Sequence, residues 1–129
     1  LDQNRLALQL ATLHKHSGIA TFDQDVFINV VGGIKVNETA SDLVVMLAIV
    51  SSLRDKVIPN KWIAFGEVGL TGEVRPVYNA QERLSEAQKQ GFELAIIPKG
   101  NAPKKPIKGM KVIKVGYLYQ AIQYLLENS

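Results

Sequence analysis

Hydrophobic and polar positions along this chain alternate with periods that predict nine elements in the order α-β-α-β-β-α-β-β-α. Leu6, Leu8, Leu10 and Leu13 recur among polar residues 2–17, with Asp2 placed to cap the start and Gly18 to stop the end, so a first helix is expected there. Residues 25–31 (DVFINVV) are rich in β-branched and aromatic side chains and break at Gly32-Gly33, which predicts a first strand. A loop through Asn37 and Glu38 then leads to residues 43–53, apolar on nearly every side apart from Ser51 and Ser52. Such a segment is a buried helix, and Thr39 to Asp42 has the spacing of a capping box at its start.

The second half is more finely divided. Residues 62–68 read as a strand, and Gly66, Gly69 and Gly72 then recur at every third position before an extended pattern at 73–77 closed by Pro76, which predicts a β-hairpin or bulged loop. Residues 79–90 have helical composition with Asn79 at the start and Gly91 as the stop, and residues 94–97 form a short buried strand ended by Pro98. A last strand is expected at 111–115 and a last amphipathic helix at 117–126, where Leu118, Ile122, Leu125 and Leu126 share a face. No repeat and no linker interrupts this order, so the expectation is one α/β domain with a mixed sheet and packed helices over residues 1–129.

Composition narrows the classes. With 47% hydrophobic and 21% charged residues, the chain matches ordinary globular usage rather than a disordered or fibrous one. The absence of cysteine removes disulfides, thiolate zinc sites and a thiol nucleophile, and suits a reducing, cytoplasmic setting. The longest apolar run, 43–50, is far short of the roughly 20 residues that cross a bilayer, and no signal peptide opens the sequence, so membrane and secretory readings are not expected. The net charge of +3 is unevenly spread. No acid occurs from Leu94 to Leu126, while Lys99, Lys104, Lys105, Lys108, Lys111 and Lys114 crowd a Pro/Gly-rich loop and the strand after it. That segment is either a solvated loop or a polyanion contact.

Candidate chemistry is sparse. Neither glycine-rich phosphate motif is present, and Gly66, Gly69 and Gly72 have the wrong spacing to cradle a phosphate at a helix start. His14 and His16, the two imidazoles, would point about 200° apart on a helix and form no shared metal site. No Ser-His-Asp arrangement exists, so a hydrolase here would need a lysine base.

The run from Gly32 to Leu53, followed by FGEVGLTGEVRP and a helix, resembles the proteolytic domain of the Lon protease family over most of the chain. The fold implied is Lon-like, in the class named for the second domain of a small-subunit ribosomal protein. In that family a Ser opens a buried helix and an early Lys of a later helix activates it, its pKa lowered by burial. Aligned on VNETASDLVVMLAIVSSL, the nucleophile position falls on Ala40, and along RPVYNAQERLSEA the base position falls on Gln81. A methyl group cannot attack and a carboxamide does not titrate, so the resemblance implies no catalytic residue and no peptidase activity at this site. Ser41 lies next door, but a one-residue shift turns it about 100° around the helix, and Lys89 sits about 12 Å of helical rise beyond Gln81. Ser41 is thus read as a helix N-cap, with a residual Ser-Lys peptidase as the alternative.

The blocks DQDVFINVVGGIKVNETASDLVVMLAIVSSLRD, FGEVGLTGEVRPV, QER and PKGNAPKKP also resemble the C-terminal domain of the bacterial RadA (Sms) family of DNA-repair and recombination proteins, over essentially all 129 residues. This resemblance implies the C-terminal part of a longer chain: a hexameric ATPase driving branch migration. ATP, Mg and Zn would be bound in other parts, with no cofactor or metal here. The domain's expected roles are ring assembly by self-association and a basic surface for DNA, with a recombinase as a possible partner and no membrane contact. By resemblance Arg5, Lys35 and Arg75 are the expected DNA-contacting set, with Lys104, Lys105 and Lys108 as a second group. Each is alternatively a solvent-facing charge or a salt-bridge partner. A vacant proteolytic groove reused as a peptide adaptor remains a third reading. Contacts to DNA would be to phosphate, because the sequence has no base-reading motif and no aromatic ladder.

Overall fold

A helix that is apolar around its whole circumference has to be covered on all sides, and that requirement organises this fold. The structure is a computed structural model that describes residues 39–129. The helix expected at 2–17, the strand expected at 25–31, and Arg5, His14, His16 and Lys35 lie outside the described residues. A 3₁₀ turn, Thr39–Ser41, leads into α1 (Asp42–Leu53), whose Leu43, Val45, Met46, Leu47, Ile49 and Val50 are all buried. There follow β1 (Trp62–Ala64), β2 (Glu67–Val68), β3 (Val74–Arg75), α2 (Ala80–Lys89), β4 (Leu94–Pro98), a second 3₁₀ turn (Lys99–Asn101), β5 (Lys111–Val115) and α3 (Leu118–Asn128).

The five strands among the described residues form two sheets. β1, β4 and β5 pair in parallel in that order, with Ile63 opposite Ala95 and Ala95 opposite Val112. β2 and β3 form a separate antiparallel ribbon, Val68 against Val74. The mixed α/β expectation is met, with the two strand orientations divided between two sheets.

β4 is buried at all five positions because it is central and covered on both faces. Leu94 and Ile96 face one core with α1 and α3, where Val115, Leu118, Ala121, Ile122 and Leu125 close the packing. Ala95 and Ile97 face a second core with Phe65, Leu84, Ala87 and Met110. Leu84, fully buried on the otherwise polar α2, anchors that helix, a burial of about 1.5–3 kcal/mol. On the first face Trp62 packs against Tyr124 with ring centroids 5.4 Å apart, joining β1 to α3.

Three local expectations change. The strand expected at 62–68 is interrupted at Phe65-Gly66, where the chain leaves the parallel sheet for the ribbon. Thr39 to Asp42 is not a capping box. Ser41 is the N-cap, with helical backbone angles and no side-chain capping hydrogen bond. The Asp42 carboxylate turns instead to β2 and accepts from the Val68 N–H at 3.1 Å. A backbone N–H 26 residues away in sequence lies beyond the reach of a local capping rule. Asn79 likewise precedes α2 in a left-handed conformation (φ 61°) without a side-chain cap.

Candidate functional site

Ala40 lies in the 3₁₀ turn, 6% exposed. Its carbonyl accepts from the Gly66 N–H at 2.9 Å, and the Gly66 carbonyl accepts from the Leu43 N–H at 3.0 Å. Gly66 thereby stitches the start of α1 to the end of β1. Its φ is 155°, and a Cβ there would lie 2.9 Å from Val74 Cγ1 and 3.3 Å from the Pro98 ring, so only glycine fits this approach. Gln81, in the first turn of α2, is exposed. Its neighbour Ala80 is buried in the same core as Phe65, the residue before Gly66. The two positions therefore flank one stretch of chain, one sealed and one open to solvent, and neither carries a group that attacks or titrates.

Arg75 is held at the outer end of the ribbon. Its guanidinium donates to Glu67 Oε1 at 3.2 Å and to Glu73 Oε1 at 2.8 Å, while its side chain remains 54% exposed. Hydrogen bonding from its own backbone N–H, reinforced by the Arg75 guanidinium, holds the Glu73 carboxyl below the usual carboxylate range, and the two carboxylates push Arg75 higher still. Two carboxylates against one guanidinium leave this cluster net negative. Glu73 lies directly over Gly69, where a Cβ would strike its carboxylate, so the glycine spacing makes room for an ion pair rather than a phosphate. The ribbon is fastened to α3 by Val74 N–H to Gly116 O at 2.9 Å and Leu118 N–H to Gly72 O at 2.7 Å, and the Gln120 side-chain oxygen accepts from Gly116 and Tyr117.

The lysine-rich loop borders a concavity. Lys104, Lys105 and Lys114 border an open cleft of about 370 Å³ with Ile107, Met110 and Val112, and no carboxylate lines it among the described residues. Lys114 and Val112 are two residues apart on β5 and so share a face of the sheet. Lys108 does not line this cleft. Its carbonyl instead accepts from the Gln88 side chain at 2.6 Å, tying the loop to α2. Of the expected second group, Lys104 and Lys105 thus share a cleft with Lys114, a residue of the basic run outside that group, and Lys108 sits apart from it. The signal that would have found it is register, since Val112 had to face the second core and Lys114 with it.

The preceding PKGN segment is structural. Asn101 Oδ1 accepts from the Val77 N–H at 2.8 Å and its Nδ2 donates to the Val77 carbonyl at 3.2 Å, so the amide pairs like a strand residue and fixes the lead-in to α2. Gly100 packs against the Pro76 ring. Among the described residues no three His, Cys, Asp or Glu side chains gather to hold a metal ion, and no helix is long and apolar enough to cross a membrane.

Comparison with known proteins assigns the class. Residues 5–101 match the family described as subunit ChlI of Mg-chelatase, and the chain belongs to that family. Among individual proteins it is similar to a protein named DNA repair protein RadA in Pseudomonas aeruginosa, 61% identical over 98% of this chain and 28% of the relative. It is similar to proteins of the same name in Escherichia coli, 57% identical over 95% of the chain and 26% of the relative, and in Bacillus subtilis, 44% identical over 95% and 27%. The chain thus spans about a quarter of the length of the relatives it matches.

Proposed function

We propose that this chain is a catalytically silent, Lon-like domain of a RadA-type DNA-repair protein, serving as a ring scaffold and lending basic surface to DNA. The similarity to proteins named DNA repair protein RadA supports the setting. The observation that carries the silent-domain reading is Ala40: where the Lon resemblance calls for an attacking oxygen there is a buried methyl, its carbonyl tied to Gly66, and the paired position holds the exposed carboxamide of Gln81. Losing either member of such a pair costs on the order of a millionfold in turnover.

At the level of the longer protein, this reading expects an ATPase driving branch migration in the bacterial cytoplasm, assembled as a homohexamer, with ATP, Mg and Zn bound outside this domain and a recombinase as partner. The 129 residues act as one domain within it. DNA is held through phosphate by Arg5, Lys35 and Arg75, with the lysines of the 103–110 loop as a second group. Arg75, bonded through both terminal nitrogens to Glu67 and Glu73 while its side chain stays 54% exposed, contributes by exchanging a carboxylate for a phosphate.

Light scattering and salt-dependent DNA binding by the intact protein test the reading. It predicts a ring-sized particle whose affinity for single strands falls with log salt at a slope of about −0.7 per phosphate contacted. A monomer indifferent to DNA at low salt overturns it. Labelling by a fluorophosphonate that disappears in Ser41→Ala would replace it with a residual peptidase.

A further inference from the structure

We propose that the cleft between the 103–107 loop and β5 is a nucleotide-sized subsite for single-stranded nucleic acid, in which Lys104, Lys105 and Lys114 hold phosphate and Ile107, Met110 and Val112 receive the base. The inference deepens the DNA-contacting reading above and rests on it.

Charge and shape agree on the occupant. Three lysines border a cleft with no carboxylate among the described residues that line it, and the 94–126 stretch that builds it carries no acid. The ligand is therefore anionic. The floor is apolar, which a bare phosphate would not use and a base face would. At about 370 Å³ the cleft sits at the small end of ligand-sized sites, suited to one nucleotide unit rather than an extended groove. In a duplex the base faces are stacked on one another and cannot reach such a floor, whereas an unpaired base can. That difference selects single strands over double strands.

The walls are preorganised. Pro103 and Pro106 bracket Lys104 and Lys105 and restrict the backbone that carries them. Beyond them a turn closes from the Ile107 carbonyl to the Met110 N–H at 3.2 Å, with Gly109 at φ 78° in the position where such a turn requires a positive angle. Gln88 holds the Lys108 carbonyl at the turn's apex, so the loop is fixed to α2 from outside the cleft. A site held open in advance loses less entropy on binding.

The test uses the intact protein and a short oligothymidylate carrying 4-thiothymidine, with crosslinks mapped by mass spectrometry. The expected result is a crosslink within residues 103–114 that disappears in the combined variant Lys104→Glu, Lys105→Glu, Lys114→Glu. The same variant should lower the salt slope of binding by about 2, at about 0.7 per lost phosphate contact, with an unchanged melting temperature. An abasic oligonucleotide of equal phosphate count should bind severalfold more weakly to the wild type and equally weakly to the variant. Crosslinks confined to other segments, equal affinity for abasic and thymidine strands, or a variant with undiminished crosslinking each overturn the subsite. If reversing Arg5, Lys35 and Arg75 abolishes binding while the cleft variant binds as wild type, the cleft fails and the wider reading stands. If the wild type binds no strand at low salt, both fail.

Discussion

The Asp42 carboxylate, 5% exposed at the first turn of α1, accepts a hydrogen bond from the Val68 backbone N–H at 3.1 Å and so ties the buried helix to the hairpin ribbon. Asp42 is the buried charged residue among those described, and a buried carboxylate persists only where hydrogen bonds compensate its lost hydration. Asp42→Ala leaves the Val68 N–H without this acceptor and should cost about 1–3 kcal/mol in urea unfolding. Asp42→Asn keeps an acceptor oxygen and should cost less. Equal losses for the two would show that the carboxylate acts by its charge and not by this bond.

Gly66→Ala should destabilise more than an ordinary glycine-to-alanine change. The new methyl would stand 2.9 Å from Val74 Cγ1 at a backbone angle that side chains rarely adopt. The expected loss is about 1–3 kcal/mol, read as a lowered denaturation midpoint. Gly109→Ala, strained at φ 78° but with open space around its Cβ, is the matched control and should lose less.

Asn101→Ala removes both bonds to Val77 and should cost about 1–2 kcal/mol, with increased hydrogen exchange at the Val77 amide as the local signature. Asn101→Asp retains the acceptor for the Val77 N–H but faces the Val77 carbonyl with a second acceptor, and should recover only part of the loss.

Acid should loosen the ribbon through Glu73. Its carboxyl titrates below the ordinary value in the folded state, chiefly through its own backbone N–H and then through Arg75. Its contribution is therefore present above the unfolded carboxylate pKa and fades as pH falls through the depressed folded value. The stability gap between wild type and Glu73→Gln should be widest near neutrality and close at pH values below that range. A gap independent of pH would place the effect in packing over Gly69 rather than in ionisation.

A hydroxyl placed at the position of Ala40 should create no peptidase. Ala40→Ser introduces a hydroxyl, but Gln81 cannot accept its proton, and neither peptide cleavage nor fluorophosphonate labelling above background is expected. Cleavage by Ala40→Ser alone would show that another base reaches this position.

Much of the fold was readable from periodicity alone, because local side-chain pattern governs whether a segment buries one face, two faces or none. The strand Lys111–Val115 falls on the predicted residues, α1 buries most of its apolar run with Val44 and Ala48 half-buried, and the glycine-spaced segment folds as the expected hairpin. Ala40 and Gln81 rest on resemblance alone, and a methyl and a carboxamide are chemically blank in any conformation. What pattern could not supply were relations between residues far apart in sequence. Asp42 has the spacing of a capping residue and is a cross-tie to Val68; Lys104 and Lys105 line a cleft with Lys114 of β5 and not with their loop neighbour Lys108. Arg75, expected by resemblance among the DNA-contacting cations, is held by two glutamates. The division is physical: hydrophobic period and backbone preference act within a few residues, whereas hydrogen-bond partners, ion pairs and clefts exist only once the tertiary fold has chosen which distant segments touch.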